Sequence, residues 1–289
     1  MKTKIFILGV IAATAIGLLF NSCKKDDQVT NPKQTQTSPT LQQPNQQSVV
    51  KSANDNAIAE SVFGSIFKQS DKAARNTNKL KDINTGCPNI TINSISSYPM
   101  TITIDFGTAC TGDDGKIRSG KIIGVLSAPY IDSASTLTIT PDNYHEIING
   151  IDYSVLGTET ITNMGHTLAG HPIFDVNVSN GVITSVNGTI HWNSQKQNEW
   201  IQGYDTWFNV FDDVYLVTGS ANGTNSGGET FQINITSPLQ VAVVCSWIES
   251  GTLEIITQAN PVITVDYGTG TCDNIAVVTC YGYTITIYM

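Results

Sequence analysis

Six of the 289 residues are cysteines, and their surroundings divide them into two kinds of chemistry. Cys23 ends a stretch that begins with Lys2 and Lys4, continues through the uncharged run Ile5 to Phe20, and closes on Asn21-Ser22. About twenty apolar residues are needed to cross a bilayer, so this shorter run behind a basic start reads as an export signal. A thiol directly after the small residue Ser22 suggests cleavage before Cys23 and lipidation of its sulfur. Each acyl CH₂ buried in a membrane then contributes about 0.8 kcal/mol of attachment. The remaining cysteines point to an oxidising compartment. Cys87 and Cys110 are symmetric about Ser96-Ser97-Tyr98-Pro99, and Cys245 and Cys272 about a point just before Asn260-Pro261. Residues equidistant from a hairpin turn face each other with Cβ atoms about 5 Å apart, close to disulfide geometry. The spacing therefore predicts Cys87–Cys110 and Cys245–Cys272, with Cys280 free and facing an apolar interior. A Cys272–Cys280 pair with Cys245 free is the open alternative.

Other residue types offer less. The segment Thr101-Ile102-Thr103-Ile104-Asp105-Phe106-Gly107-Thr108 returns as Val262-Ile263-Thr264-Val265-Asp266-Tyr267-Gly268-Thr269, an internal repeat. Asp105 and Asp266 have the chemistry of ligands or catalytic carboxylates, but Asp at such a place also accepts backbone N–H groups of the following turn. Their duplication favours the structural role. His145-Glu146-Ile147-Ile148-Asn149 resembles the zinc-protease pattern, except that Asn149 stands where the second histidine must coordinate. His166 and His171 read as turn histidines, and Asp113-Asp114-Gly115-Lys116 as a hairpin tip, since it lacks the alternating oxygens of a calcium loop. No nucleophile elbow, P-loop or dinucleotide fingerprint is present. The expectation is no catalytic residue, no metal and no cofactor.

One cluster supports a binding reading. Trp192, Trp200, Tyr204, Trp207, Phe208, Phe211 and Tyr215 lie within 24 residues, among Gln195, Gln197, Asn198, Glu199 and Asp205. Aromatic faces beside amides and carboxylates suit sugar recognition, which makes Trp192, Trp200, Tyr204 and Trp207 the candidate ligand-binding residues. The competing and favoured reading is that these side chains fill the core where the two repeat halves meet.

The elements that position these residues follow from pattern. Residues 28–49 are Gln, Thr, Asn, Ser and Pro with few apolar side chains, a composition that does not bury enough surface to order. As a flexible tether they span roughly 25–30 Å. Ser52-Ala53-Asn54-Asp55 has the form of a helix start, and Ile58, Val62 and Ile66 with Phe63 and Phe67 make an apolar stripe at helical spacing. That stripe is expected to dock on the main domain. From Cys87 onward the period is two, as in Ile102, Ile104 and Phe106 or Phe231, Ile233 and Ile235, with Thr-rich alternate positions and Asn-Gly turns. A dozen or so antiparallel strands follow.

The tract Leu19-Phe20-Asn21-Ser22-Cys23 resembles the lipobox of bacterial lipoproteins, and Cys23-Lys24-Lys25-Asp26-Asp27 resembles the surface-export signal of Bacteroidetes lipoproteins. The stretches around Thr103 to Gly107, Gly219 to Asn225, Cys245 to Leu253 and Gly270 to Asn274 are similar to a group of uncharacterised Bacteroidetes lipoproteins, over most of 87–289. The resemblance implies a β-rich outer-membrane protein held by lipid (palmitate among the acyl chains) on Cys23, exposed at the cell surface, and implies no activity. Asp132-Ser133-Ala134 matches the O-glycosylation pattern of exported proteins of that group, which marks Ser133.

The sequence thus predicts a signal peptide over 1–22, anchor and disordered tether over 23–51, an amphipathic helix over 52–80 and an antiparallel β-domain over 81–289. The fold class is mainly β: a large antiparallel meander or half-barrel with internal pseudo-duplication and one N-terminal helix. Twenty-four acidic residues face fifteen basic ones, a charge of −9. Loss of Lys2 and Lys4 with the signal leaves thirteen bases and a charge of −11. Without a basic block, nucleic acid is excluded as a partner. The expected role is non-enzymatic binding or structure at the envelope, with the membrane and a glycan or envelope protein as partners. The alternatives are handling of a glycan or apolar ligand, and a hydrolase whose carboxylates the spacing does not reveal.

Overall fold

The computed structural model describes residues 46–77, 87–94, 97–258 and 262–289. Cys23, the signal and most of the tether lie outside them. Helix α1 (Gln46–Arg75) precedes thirteen strands: β1 (Asn89–Ile92), β2 (Met100–Thr111), β3 (Ile117–Leu126), β4 (Thr136–Ile148), β5 (Ile151–His166), β6 (Pro172–Ser185) and β7 (Gly188–Gln202), then β8 (Val214–Thr224), β9 (Thr230–Ala242), β10 (Ser250–Thr257), β11 (Ile263–Thr269), β12 (Ile275–Cys280) and β13 (Tyr283–Tyr288). All are antiparallel in one open sheet whose spatial order is the chain order. The mainly β meander expected from the period-two pattern is the fold.

Strand parity sorts the side chains as the pattern requires. On β2, Met100, Ile102, Ile104 and Phe106 are buried while Thr101 and Thr103 point outward. The outward row runs as aligned short polar side chains from Thr138 on β4 through Thr160, Asn177, Gln195 and Ser220 to Asn234. It continues through Glu254, Thr264 and Thr279 to Thr284 on β13. Register shifts interrupt the long strands, as between Ser119 and Lys121 on β3. There Gly120 has φ +76°, and a Cβ on it would lie 1.9 Å from the Asn143 carbonyl oxygen, so only glycine fits.

The helix differs from expectation in extent and in setting. It begins at Gln46, within the segment expected to be tether, because Pro44 is the last proline before it and Gln46 to Lys51 carry no helix breaker. It ends at Arg75 with a turn over 76–77. Ser52 and Asp55 therefore lie inside the helix rather than at its start. They bind the β8–β9 turn: Asn225 Nδ2 donates to Ser52 Oγ at 2.9 Å, and Ser226 N and Oγ each donate to Asp55 Oδ2 at 2.7 Å. Between residues 50 and 77 only Asn54 is exposed. The curved sheet encloses α1 rather than offering it one face. Ala59, Val62, Phe63, Ile66 and Phe67 join the single hydrophobic core made by the inner faces of the strands.

Both predicted disulfides are present, with Cα–Cα distances of 5.6 Å for Cys87–Cys110 and 5.8 Å for Cys245–Cys272, and Cys280 is buried and takes part in neither bridge. The repeat copies are β2 and β11, each the second strand of a bridged hairpin. Asp105 Oδ1 accepts the Gly107 N–H and Asp266 Oδ1 the Gly268 N–H, both at 2.8 Å. The duplicated acids make the same backbone contact at irregularities within β2 and β11 rather than at turns, which is the structural role read from their duplication.

Candidate functional site

Besides the Ser52 and Asp55 contacts, polar side chains among the described residues meet α1 at three further places. At its C-terminal end Arg75 contacts both Asp71 and Asp213, with the side chains of Arg75 and Asp213 fully buried. Tyr130 Oη donates to Asp71 Oδ1 at 2.9 Å, and Tyr215 Oη donates to Asp213 Oδ2 at 3.4 Å. The guanidinium carbon lies 4.5 Å from the Trp200 ring centre and 5.9 Å from that of Trp207, within cation–π range. Burial disfavours the Arg75 charge, but Asp71, Tyr215 and Asp213 outweigh it and hold the group protonated. Arg75 Nε, Asp213 Oδ1 and Trp200 Nε1 have no hydrogen-bond partner.

Mid-helix, Arg118 on β3 donates to Ser65 Oγ from Nε at 3.1 Å and from Nη2 at 2.7 Å, pairs with Asp114, and lies 3.3 Å from Glu146 Oε2. Lys116 Nζ donates to Glu146 Oε1 at 2.8 Å and Tyr144 Oη to Glu146 Oε2 at 2.9 Å. Nearby, Lys68 Nζ donates to the Cys245 carbonyl at 3.2 Å, and burial, reinforced by Lys116, lowers its pKa to about 8. Toward the N-terminal half, Lys196 on β7 pairs with Glu60, and Trp192 stacks on Phe63 with centroids 5.4 Å apart. Trp192 Nε1 donates to Asn56 Oδ1 at 3.2 Å. Glu159, only 2 % exposed, has an unpartnered Oε2, and burial pushes its carboxyl well above the usual range.

These contacts fasten the helix. The crevice between α1 and the sheet lined by Ser70, Ile102, Ile104, Gly124 and Leu137 is too narrow to hold a water molecule. Asp71 and Asp213 converge on Arg75 and are both paired with it. Cys245, Glu249 and Cys272 have donor atoms within 4.8 Å of one another, but the two sulfurs are bonded together.

The predicted aromatic cluster is split by burial. Trp192 and Trp200 are 1 % and 0 % exposed, so their assignment as ligand-stacking residues is corrected: both faces of each ring are committed to the interior. Trp207 is half-buried and locked to the helix end, its Nε1 donating to the Arg75 carbonyl at 3.3 Å. Of the four, Tyr204 is the most exposed, at 38 %. It sits in the β7–β8 connection (203–213) with Phe208 at 52 % and Phe211 at 54 %, its ring 5.6 Å from that of His171. His171 Nδ1 lies 2.7 Å from Glu199 Oε1. His145 and Glu146 point to opposite faces of β4, His145 toward Asp152 outside and Glu146 to the interior. Ser133 is exposed in the β3–β4 turn.

Sequence reasoning missed Arg75, Arg118 and Glu159, and the interior pairing of Glu146 with Lys116 and Arg118. A signal existed for Glu159, which shares the inward parity of Ile161 on β5. No protein-family model, curated protein or solved structure matches this chain.

Proposed function

We propose that this chain is a lipid-anchored protein of the bacterial outer membrane, exposed at the cell surface, with a non-enzymatic binding role exercised through its β7–β8 connection. The observation that carries the reading is the two-sided construction of residues 203–213. On the inside, Trp207 and Asp213 are fixed to Arg75 at the end of α1. On the outside, Tyr204, Phe208 and Phe211 are presented to solvent beside Asp205 and Asp212. Exposed aromatic side chains on a preorganised loop are the residues that dominate protein contacts, because they cover apolar area at small entropic cost. The interior does not compete for this role, since the helix occupies the concave side.

A photoreactive residue placed at Phe208 in living cells is expected to give one discrete adduct, and the same probe at Val186, an exposed position in the β6–β7 turn, none. Equal labelling from both positions, or none from Phe208, would remove the reading. Palmitate incorporation that Cys23→Ser abolishes is the expected result for the anchor, and incorporation that survives the substitution would overturn it. The glycan alternative now rests on Tyr204 alone among the four candidate residues, and a glycan adduct at Phe208 is the result that would favour it.

A further inference from the structure

The sheet is open, and among the described residues β1 and β13 each have a single neighbour. The two edges are built differently. β1 has four residues and lies beside the Cys87–Cys110 bridge. β13 has six residues, with no lysine, no proline, no inward-pointing charge and no register shift against β12, and among the described residues no strand pairs with its outer edge. From Asn274 to Met289 the chain has no charged side chain. Tyr283 and Tyr288 are 59 % and 72 % exposed.

We infer that β13 pairs with β13 of a second copy of this chain, joining the two sheets edge to edge about a two-fold axis at Thr286. Antiparallel pairing keeps side chains of like parity on one face, and the register centred on Thr286 covers the whole of 283–289. It sets Ile285 against the partner's Ile287 and Tyr283 against the partner's Met289, both on the inner face. On the outer face it sets Thr284 against the partner's Tyr288 and Thr286 against its own copy. Every pair is thus apolar with apolar or hydroxyl with hydroxyl. The half-buried Ile285 and Met289, already packed against the core, gain cover on their open side.

Charge selects this occupant. Copies of a chain with a charge of −9 repel across most surfaces, and an edge without charged side chains lets two of them approach without setting acidic side chains against each other. An edge shaped for a basic partner would show acidic side chains along β13, and it has none.

The test is sedimentation of the full chain as its host processes it, under one buffer and detergent. The wild-type protein is expected to be a dimer. Thr286 is exposed and points outward, so Thr286→Lys and Thr286→Glu leave the folded core alone, and unchanged thermal unfolding verifies this. Each variant sets two like charges against each other on the axis and is expected to dissociate, with a dimer dissociation constant raised about tenfold or more. An equimolar mixture of the two variants is expected to recover the dimer, because Lys then faces Glu. A monomeric wild-type protein, as when the chain's own N-terminal segment or a foreign strand takes the edge, overturns the inference. So does a dimer indifferent to both substitutions, or a mixture that stays monomeric.

Discussion

Arg75 concentrates the cost and the benefit of burying charge. Its guanidinium is shared by Asp71 and Asp213 and covered by Trp200 and Trp207, so its removal strands two carboxylates in an apolar interior. Breaking one side of a buried pair costs about 3–5 kcal/mol, whereas replacing the whole group by neutral side chains costs far less. Arg75→Leu is therefore expected to lower unfolding free energy by about that amount in urea titrations. Adding Asp71→Asn and Asp213→Asn to Arg75→Leu is expected to restore a large part. Glu159 gives the opposite outcome. Its folded pKa is raised by burial, so its contribution is fully present below the ordinary carboxylate range and is lost as pH rises through the raised value. Glu159→Met removes that loss together with an unpartnered oxygen, and is expected to stabilise the protein by about 1–3 kcal/mol at pH 8. The gain should shrink at pH 5, and a gain independent of pH would contradict the assignment.

Helix α1 is the element whose sequence signal and structural setting diverge most. Two glycines, Gly64 within α1 and Gly181 facing it, separate the effects of enclosure from those of propensity. A Cβ at Gly64 meets nothing within 4 Å, so Gly64→Ala is expected to stabilise by about 0.5–1 kcal/mol through helix propensity and unfolded-state entropy. A Cβ at Gly181 on β6 would lie 2.6 Å from the Trp192 carbonyl oxygen and 3.1 Å from the Phe63 ring, so Gly181→Ala is expected to cost about 1–3 kcal/mol. Chemical denaturation of both variants checks the contrast. The apolar stripe from Ile58 to Phe67 was legible because helical spacing is local, and the strands were legible because parity is local. The bridges could be read because equal spacing about a turn survives the bulges that separate Cys245 from Cys272. What could not be read was the fate of the polar side chains on α1. Ser65, Asp71 and Arg75 look like a solvent face until side chains as far as 138 residues along the sequence close over them. The same limit applies to Trp200, whose burial depends on an arginine that no local pattern connects with it.

At the scale of the molecule, enclosure of α1 determines how stability is distributed. Neighbouring strands in a meander pair locally, so each hairpin is cheap to form, but the inner face of the sheet is covered only once the helix is in place. The core is one cluster to which α1 and every strand from β2 to β13 contribute, with no boundary along which the helix could leave while the strands stay packed. Its departure would expose Phe63, Ile66 and Phe67 together with their partners Trp192 and Tyr215, and would strand Asp213, Arg118 and Lys116 without Arg75, Ser65 or Ser61. Local opening is favourable only where few apolar contacts and buried polar partners are lost, and α1 meets neither condition. Native-state hydrogen exchange is therefore expected to show the amides of Val62 and Ile66 opening with the same free energy as those of Ile161 and Val176 in the middle of the sheet, and with the same denaturant dependence. Earlier exchange of the helix would mean that the sheet holds its curvature unaided, and that α1 is a removable plug rather than the element around which the strands close.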